Sequence, residues 1–156
     1  MIDPVRFITN RSSGKQGYEI ANSLVENGFD TTLISGPTNL KPNENLKLIK
    51  VKTGEEMYKK TMELLPCDLA IFTAAVSDFK IKKFNKEKIK KNKDLSFDLD
   101  LNPDILELVS KNNKKPKIVV GFAAESENLF NNAKSKLEKK GCDLIVANDV
   151  SDNEIG

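Results

Sequence analysis

Apolar positions along this chain alternate between two periods. Ile20, Ala21, Leu24 and Val25 recur at helical spacing, and Gly28 follows as a stop. DTTLIS at 30–35 predicts a short strand closed by the Gly36-Pro37 turn, and KLIKV at 47–51 predicts a second. Thr53-Gly54-Glu55-Glu56 has the spacing of a capping box and predicts a helix to about residue 65, ended by Pro66. LAIFTAA at 69–75 predicts a buried strand. Leu95, Phe97, Leu99 and Leu101 alternate with Ser96, Asp98 and Asp100, as in a strand with one wet face. Asn102-Pro103-Asp104 opens a short helix to about residue 111. KIVVGFA at 117–123 predicts another buried strand, 126–140 a helix stopped by Gly141, and LIVAND at 144–149 a last strand.

Short apolar strands alternating with helices predict an α/β fold, a three-layer sandwich with helices on both faces of a mostly parallel sheet. In such sheets ligands sit beyond the carboxyl ends of the strands. The segments expected there are TAAVSDF, VGFAAE and VANDV, with NRSSGKQG at a helix start. Each of them, taken alone, also reads as a plain loop. The pattern starts after the opening strand such a sheet would have and stops abruptly at DNEIG. The expectation is one domain, 1–156, cut at both ends from a larger protein.

Composition narrows the chemistry. Charged residues are 31% and apolar residues 38% of the 156, as in a soluble globular chain. No apolar run approaches the ~18 residues of a membrane span, and MIDPVRF has no apolar core of the kind secretion needs. Cys67 and Cys142 open the matching runs CDLAIF and CDLIVA, so both are expected as buried thiols at strand starts in a reducing cytoplasm. The net charge of +2 is too small to argue for nucleic acid. Between Lys80 and Lys93, however, eight lysines face one glutamate, a local field suited to an anion. The chain has no histidine, which removes the usual general base, the Ser-His and Cys-His pairs and the commonest zinc ligand. Chemistry must then run on lysine, asparagine, carboxylates and backbone amides, or on a metal brought by the substrate. No protein metal site is expected.

NRSSGKQG at 10–17 is not a Walker loop, because Gln16 follows Gly14-Lys15 where Ser or Thr would hold magnesium, and Thr9 replaces the first glycine. Nor does G-x-G-x-x-G occur. Ser13-Gly14-Lys15-Gln16 has capping-box spacing, which leaves two readings open: helix amides beside Lys15 as an anion site, or a well-capped helix alone.

IDPVRFITNRSSGKQGYEIA, ISGP, TAAVSDF, EKIKK, NPDIL, VGFAAE and DLIVANDVS follow one another in an order and spacing that strongly resemble the phosphopantothenate–cysteine ligase family, over essentially the whole chain. In many bacteria that ligase is the C-terminal half of a bifunctional coenzyme A biosynthesis protein whose other half is a flavin (FMN) decarboxylase. The resemblance implies a Rossmann-like, dimeric enzyme that joins 4′-phosphopantothenate to L-cysteine. CTP, accompanied by Mg²⁺, activates the carboxylate as an acyl-cytidylate and releases pyrophosphate; the cysteine amine then displaces CMP. No nucleic acid or membrane partner is implied.

The resemblance also implies roles. Asn10 matches an asparagine needed for turnover of the acyl-cytidylate, and Lys88 a lysine needed for activation. Asp78 matches a CTP contact, and Pro103, Asp104, Ile105 and Leu106 the cytosine-side segment. Phe122 is placed to stack on the base, while Lys136 and Lys140, one helical turn apart, match triphosphate contacts. Ala74 and Ala75 let substrate approach the backbone, and Arg6 is placed to meet the phosphate of phosphopantothenate. Each has a plainer reading: Lys88, Lys136 and Lys140 as surface lysines, Asp78 as a turn aspartate, Phe122 as core. The family pattern also starts earlier, with a strand and a Gly-Gly-Thr loop, and continues past DVS into strands that help the dimer form. The piece alone is therefore expected to bind CTP weakly, turn over poorly or not at all, and expose a sheet edge. Two other readings compete. An oxidoreductase domain lacks its fingerprint here, and a non-catalytic anion- or nucleotide-binding module would keep the fold without the reaction.

Overall fold

A computed structural model describes residues 1–90 and 95–151. In chain order the elements are α1 (Lys15–Glu26), β1 (Thr32–Ser35), β2 (Lys47–Lys50), α2 (Gly54–Glu63), β3 (Leu69–Phe72), β4 (Phe79–Ile81), β5 (Leu99–Leu101), α3 (Ile105–Ser110), β6 (Ile118–Glu125), α4 (Leu129–Lys140) and β7 (Leu144–Asp149). The expected α/β alternation is present and its main strands are parallel.

Strand β6 pairs in parallel with β3 on one side, Leu69 opposite Ile118, and with β7 on the other, Val120 opposite Leu144. Strands β1 and β2 form a second parallel pair. Among the described residues the parallel strands thus fall into two sheets rather than one continuous sheet. Helices α1 and α2 both pack on β1. Gly17 of α1 abuts Thr73 at the end of β3, and α2 reaches the core beside β6, so the helices tie the two sheets together.

The core lies on one face of β6. Val109 and Val119 are fully buried and cluster with Ile105 and Cys142. Met57, Tyr58 and Met62 of α2, Leu106 of α3 and Leu137 of α4 close around them. Gly121 permits this approach: a Cβ there would stand 2.7 Å from Leu106 Cδ2 and 2.8 Å from Ile145 Cδ1. On the opposite face Ile118 (46%) and Leu144 (55%) remain exposed.

Several boundaries differ from the pattern. The run 69–75 ends as a strand at Phe72, because residues 73–78 turn away as the loop that leaves the sheet. The alternation over 95–101 is a strand only at Leu99–Leu101, paired antiparallel with β4, which hydrophobic period did not predict. Thr53 caps α2 as expected, accepting from the Glu56 amide at 3.1 Å, but Glu56 accepts from Lys52 N (2.7 Å). Cys142 is buried, yet Cys67 is exposed, a correction to the paired expectation. Its surroundings explain this: Cys67 lies in the turn between α2 and β3, whereas Cys142 sits directly in the cluster under β6.

Truncating Val119 to Ala removes two buried methyl groups at the centre of this cluster and is expected to cost about 2 kcal/mol. Urea unfolding measures it, with the exposed Lys134→Ala as a control expected within about 0.5 kcal/mol of wild type.

Candidate functional site

Because β3, β6 and β7 are parallel, their carboxyl ends open at one edge, where the loop after β3 and the end of β7 meet residues around the start of α1. Asn10 Nδ2 donates to the carbonyl of Val76 at 3.3 Å, which fastens the residues before α1 to the loop after β3. Asn148 near the end of β7 donates to Gln16 Oε1 at 3.5 Å. This edge gathers Asn10 with the exposed Ala74, Ala75 and Asp78.

The start of α1 differs from the expected capping box. Gly14 is the N-cap residue, at φ +76°, and no side chain caps the helix. Ser13 Oγ accepts instead from Lys15 N, and Ser12 Oγ from Gly14 N. The left-handed turn requires glycine and swings Ser13 out of capping position.

A second group lies along β6. Asp104 caps α3 by accepting from the Glu107 amide at 3.0 Å. Lys140 pairs with Asp104 and lies 3.5 Å from Glu107 Oε2. Lys136 donates to the carbonyl of Phe122 at 2.8 Å. The two lysines therefore share one face of α4, turned toward β6 and α3, as their spacing predicted. Burial lowers the Lys140 ammonium, but bonding to Asp104 and the nearby Glu107 charge outweigh this and hold it above its ordinary value. Burial likewise pushes the Asp104 carboxyl up, and the bonds from Lys140 and Glu107 N bring it below the usual range.

Within 103–106 the side chain of Ile105 is buried in the core and Leu106 packs over Gly121, so these residues offer a ligand their backbone. Phe122 alternates with the inward Gly121 and Ala123, so its ring lies across the sheet from Leu106. The structure does not bring that ring together with Pro103–Leu106. Asn102, which sequence reasoning passed over, links the two groups: its Nδ2 donates to Ser77 O (2.7 Å) and its amide to Asp78 O (2.8 Å). The only local signal was its place before proline.

Pro103 also borders a cavity of about 470 Å³ with Glu55, Tyr58, Lys59 and Lys80. Lys80 is bound by Glu55, which raises the lysine and lowers the carboxyl. One lysine of the basic run thus already has a counter-charge. Lys91 and Lys93 of that run lie outside the described residues.

Arg6, expected at a phosphate, is engaged within the chain: Nε and Nη2 donate to Asp3 Oδ2 at 2.9 and 2.5 Å, and Nη2 donates to Ile89 O at 2.8 Å. Lys88 is exposed beside Ile89. Among the described residues no three His, Cys, Asp or Glu side chains gather as metal ligands, and no helix is long and apolar enough to cross a membrane.

The arrangement is a parallel α/β edge lined with amide donors and lysines, the kind of site that takes phosphorylated ligands. The chain belongs to the DNA/pantothenate metabolism flavoprotein C-terminal domain family, whose model matches residues 1–156. It is 44% identical over 154 residues to the coenzyme A biosynthesis bifunctional protein CoaBC of Borreliella burgdorferi, covering 96% of this chain and 40% of that protein. The Haemophilus influenzae protein of the same name is 42% identical, with 99% of this chain and 39% of the relative covered. A crystal structure of the C-terminal domain of a CoaBC superposes with a TM-score of 0.83 at 37% identity, over 95% of this chain and 70% of that one. The chain thus spans about two fifths of the length of these curated relatives.

The Asp104–Lys140 pair fixes a pH dependence. The depressed Asp104 contributes stability above its unfolded pKa of about 4 and loses it as pH falls through the folded value. The raised Lys140 contributes below about pH 10.4 and loses it only as pH rises through its own folded value. Lys140→Met should raise the Asp104 pKa in a carboxyl NMR titration, and its stability deficit should shrink below pH 4; an unshifted Asp104 would contradict the pairing.

Proposed function

We propose that this chain is the ligase part of such a coenzyme A biosynthesis protein and forms the amide between 4′-phosphopantothenate and L-cysteine at the expense of CTP. The observation that carries the reading is the bond from Asn10 to Val76 O, which brings ITNRSSG and TAAVSDF to one strand edge in a chain matched by the family from end to end.

In the first step a carboxylate oxygen of phosphopantothenate attacks the α-phosphorus of CTP. The bond to the β-phosphate oxygen breaks and pyrophosphate leaves, giving the acyl-cytidylate. Lys88 meets the charge that accumulates on the leaving pyrophosphate; an exposed ammonium on a flexible stem suits that task. Lys136 and Lys140 exchange the Phe122 carbonyl and the Asp104 carboxylate for phosphate oxygens. The backbone of Pro103, Asp104, Ile105 and Leu106 reads the cytosine edge. Phe122 holds Lys136 through its carbonyl until the nucleotide enters, rather than serving through a stacked ring. Asp78 accepts from the cytosine amino group, the ribose or a magnesium-bound water.

In the second step the cysteine amine attacks the acyl carbon, the acyl C–O bond breaks to release CMP, and the amine's proton passes to solvent water. One hydrogen of Asn10 Nδ2 is held by Val76 O, and the other is left to donate to the developing oxyanion. Ala74 and Ala75 leave the backbone open to substrate, and Arg6 has Nη1 to offer the phosphopantothenate phosphate.

Magnesium arrives with the nucleotide, and we assign it no protein ligand. FMN belongs to the fused decarboxylase half of the larger protein. We place that protein in the cytoplasm as a homodimer, with residues 1–156 as its ligase domain.

In the intact protein, Asn10→Asp should leave pyrophosphate release unchanged and slow amide formation on the order of 100-fold or more. Lys88→Gln should suppress pyrophosphate release while CTP still binds. Rapid-quench assay of both half-reactions decides the matter. Loss of activation in the Asn10 variant would reassign that residue, and normal activation in the Lys88 variant would remove Lys88 from the mechanism.

A further inference from the structure

Asp3 is the most completely buried carboxylate among the described residues, with no exposed surface, and it receives five donors. Oδ1 accepts from the amides of Val5 (2.9 Å) and Arg6 (2.8 Å), which closes the Asp3-Pro4-Val5-Arg6 turn. Oδ2 accepts from Arg6 Nε and Nη2 and, from far along the chain, the Ile89 amide at 3.1 Å. Arg6 Nη2 also donates to Ile89 O. The N–H and the C=O of Ile89 are therefore both held by one Asp–Arg pair. A second stitch lies four residues earlier, where the Asn85 amide donates to Ile2 O at 3.1 Å.

Closing the turn needs Oδ1 alone. Oδ2 and the guanidinium are spent on a lysine-rich segment whose like charges repel one another. The residue before Ile89 is Lys88.

We infer that Asp3 is a positioning residue for Lys88: with Arg6 it clasps the Ile89 peptide and fixes the backbone from which the Lys88 ammonium reaches its ligand. This rests on the activation role given to Lys88 above. A lysine stem is flexible, so pinning its base narrows the volume its charge explores. Arg6 and Asn10 are four residue steps apart, a span of at most about 14 Å. One turn thus anchors both the residue assigned to activation and the one assigned to amide formation.

Asp3→Asn tests the clasp in the intact protein. Asparagine keeps Oδ1 for the turn amides but turns an NH₂ group toward the Arg6 and Ile89 donors. The expected result is a 10- to 100-fold fall, roughly, in the rate of pyrophosphate release, with the KM for CTP little changed. Its effect should also be non-additive: Asp3→Asn with Lys88→Gln should be no slower than Lys88→Gln alone. Trypsin should cut faster at Lys86, Lys88 or Lys90 in the single variant. Ile89→Pro, which removes the loop-side donor and leaves the turn intact, should reproduce the kinetic effect and decides the question if Asp3→Asn does not fold.

The clasp is overturned if either folded variant releases pyrophosphate within about twofold of wild type, or if its loss multiplies with that of Lys88→Gln. Should Lys88→Gln alone release pyrophosphate normally, the reading of Lys88 fails and the clasp's purpose goes with it. That result is distinct from an inactive Lys88→Gln beside a fully active Asp3→Asn.

Discussion

Strand β6 is hydrogen-bonded in parallel on both sides, and where the chemistry can sit follows from that. Parallel pairing sends the ends of β3, β6 and β7 out at one edge. The loop after β3 must then turn where α1 begins, and Asn10 meets Val76 there. The same strand is the floor of the core. Its inward Gly121 lets Leu106 of α3 and Ile145 of β7 come close, and Lys136 of α4 reaches the next carbonyl, Phe122 O. Packing and site are thus two sides of one strand's register.

With no histidine, the phosphate chemistry proposed for this chain falls to lysines, and lysines have to be kept apart from one another. Carboxylates do this here. Glu55 holds Lys80, and Asp104 with Glu107 holds Lys140. These partly exposed pairs add little stability. Their effect is positional: on the proposed reading, a triphosphate entering beside α3 would compete with Asp104 for Lys140. Asp3 stands apart, because its partners are strong donors on every side and Arg6 holds its carboxyl far below the usual range.

The fold plan was legible because it rests on local signals. Thr53 caps α2 from the position its spacing marked, α3 opens after Asn102-Pro103-Asp104 as expected, and Gly141 ends α4 in the left-handed conformation. The lysines of α4 share a face because helical geometry leaves little choice. What stayed hidden depends on partners distant in sequence. β4 exists through its pairing with β5, 18 residues after it ends, and has too few residues to show a period. The bond from Ile89 to Asp3 spans 86 positions. Ser13 failed as a cap because the backbone at Gly14 is left-handed, which Ser-x-x-Gln spacing does not reveal. Phe122 was read by residue type, whereas strand alternation turns its ring across the sheet. Matching Cys-Asp-Leu tripeptides likewise said nothing about which of them would be covered.

We propose that this edge converts a carboxylate into a mixed anhydride with CMP. Oxygen labelling tests it most directly. Phosphopantothenate carrying ¹⁸O in its carboxylate, given to the intact protein with CTP, magnesium and cysteine, should leave one ¹⁸O in the CMP produced and none in the pyrophosphate, as read by mass spectrometry. Unlabelled CMP, or label appearing in a released phosphate instead, would contradict the account.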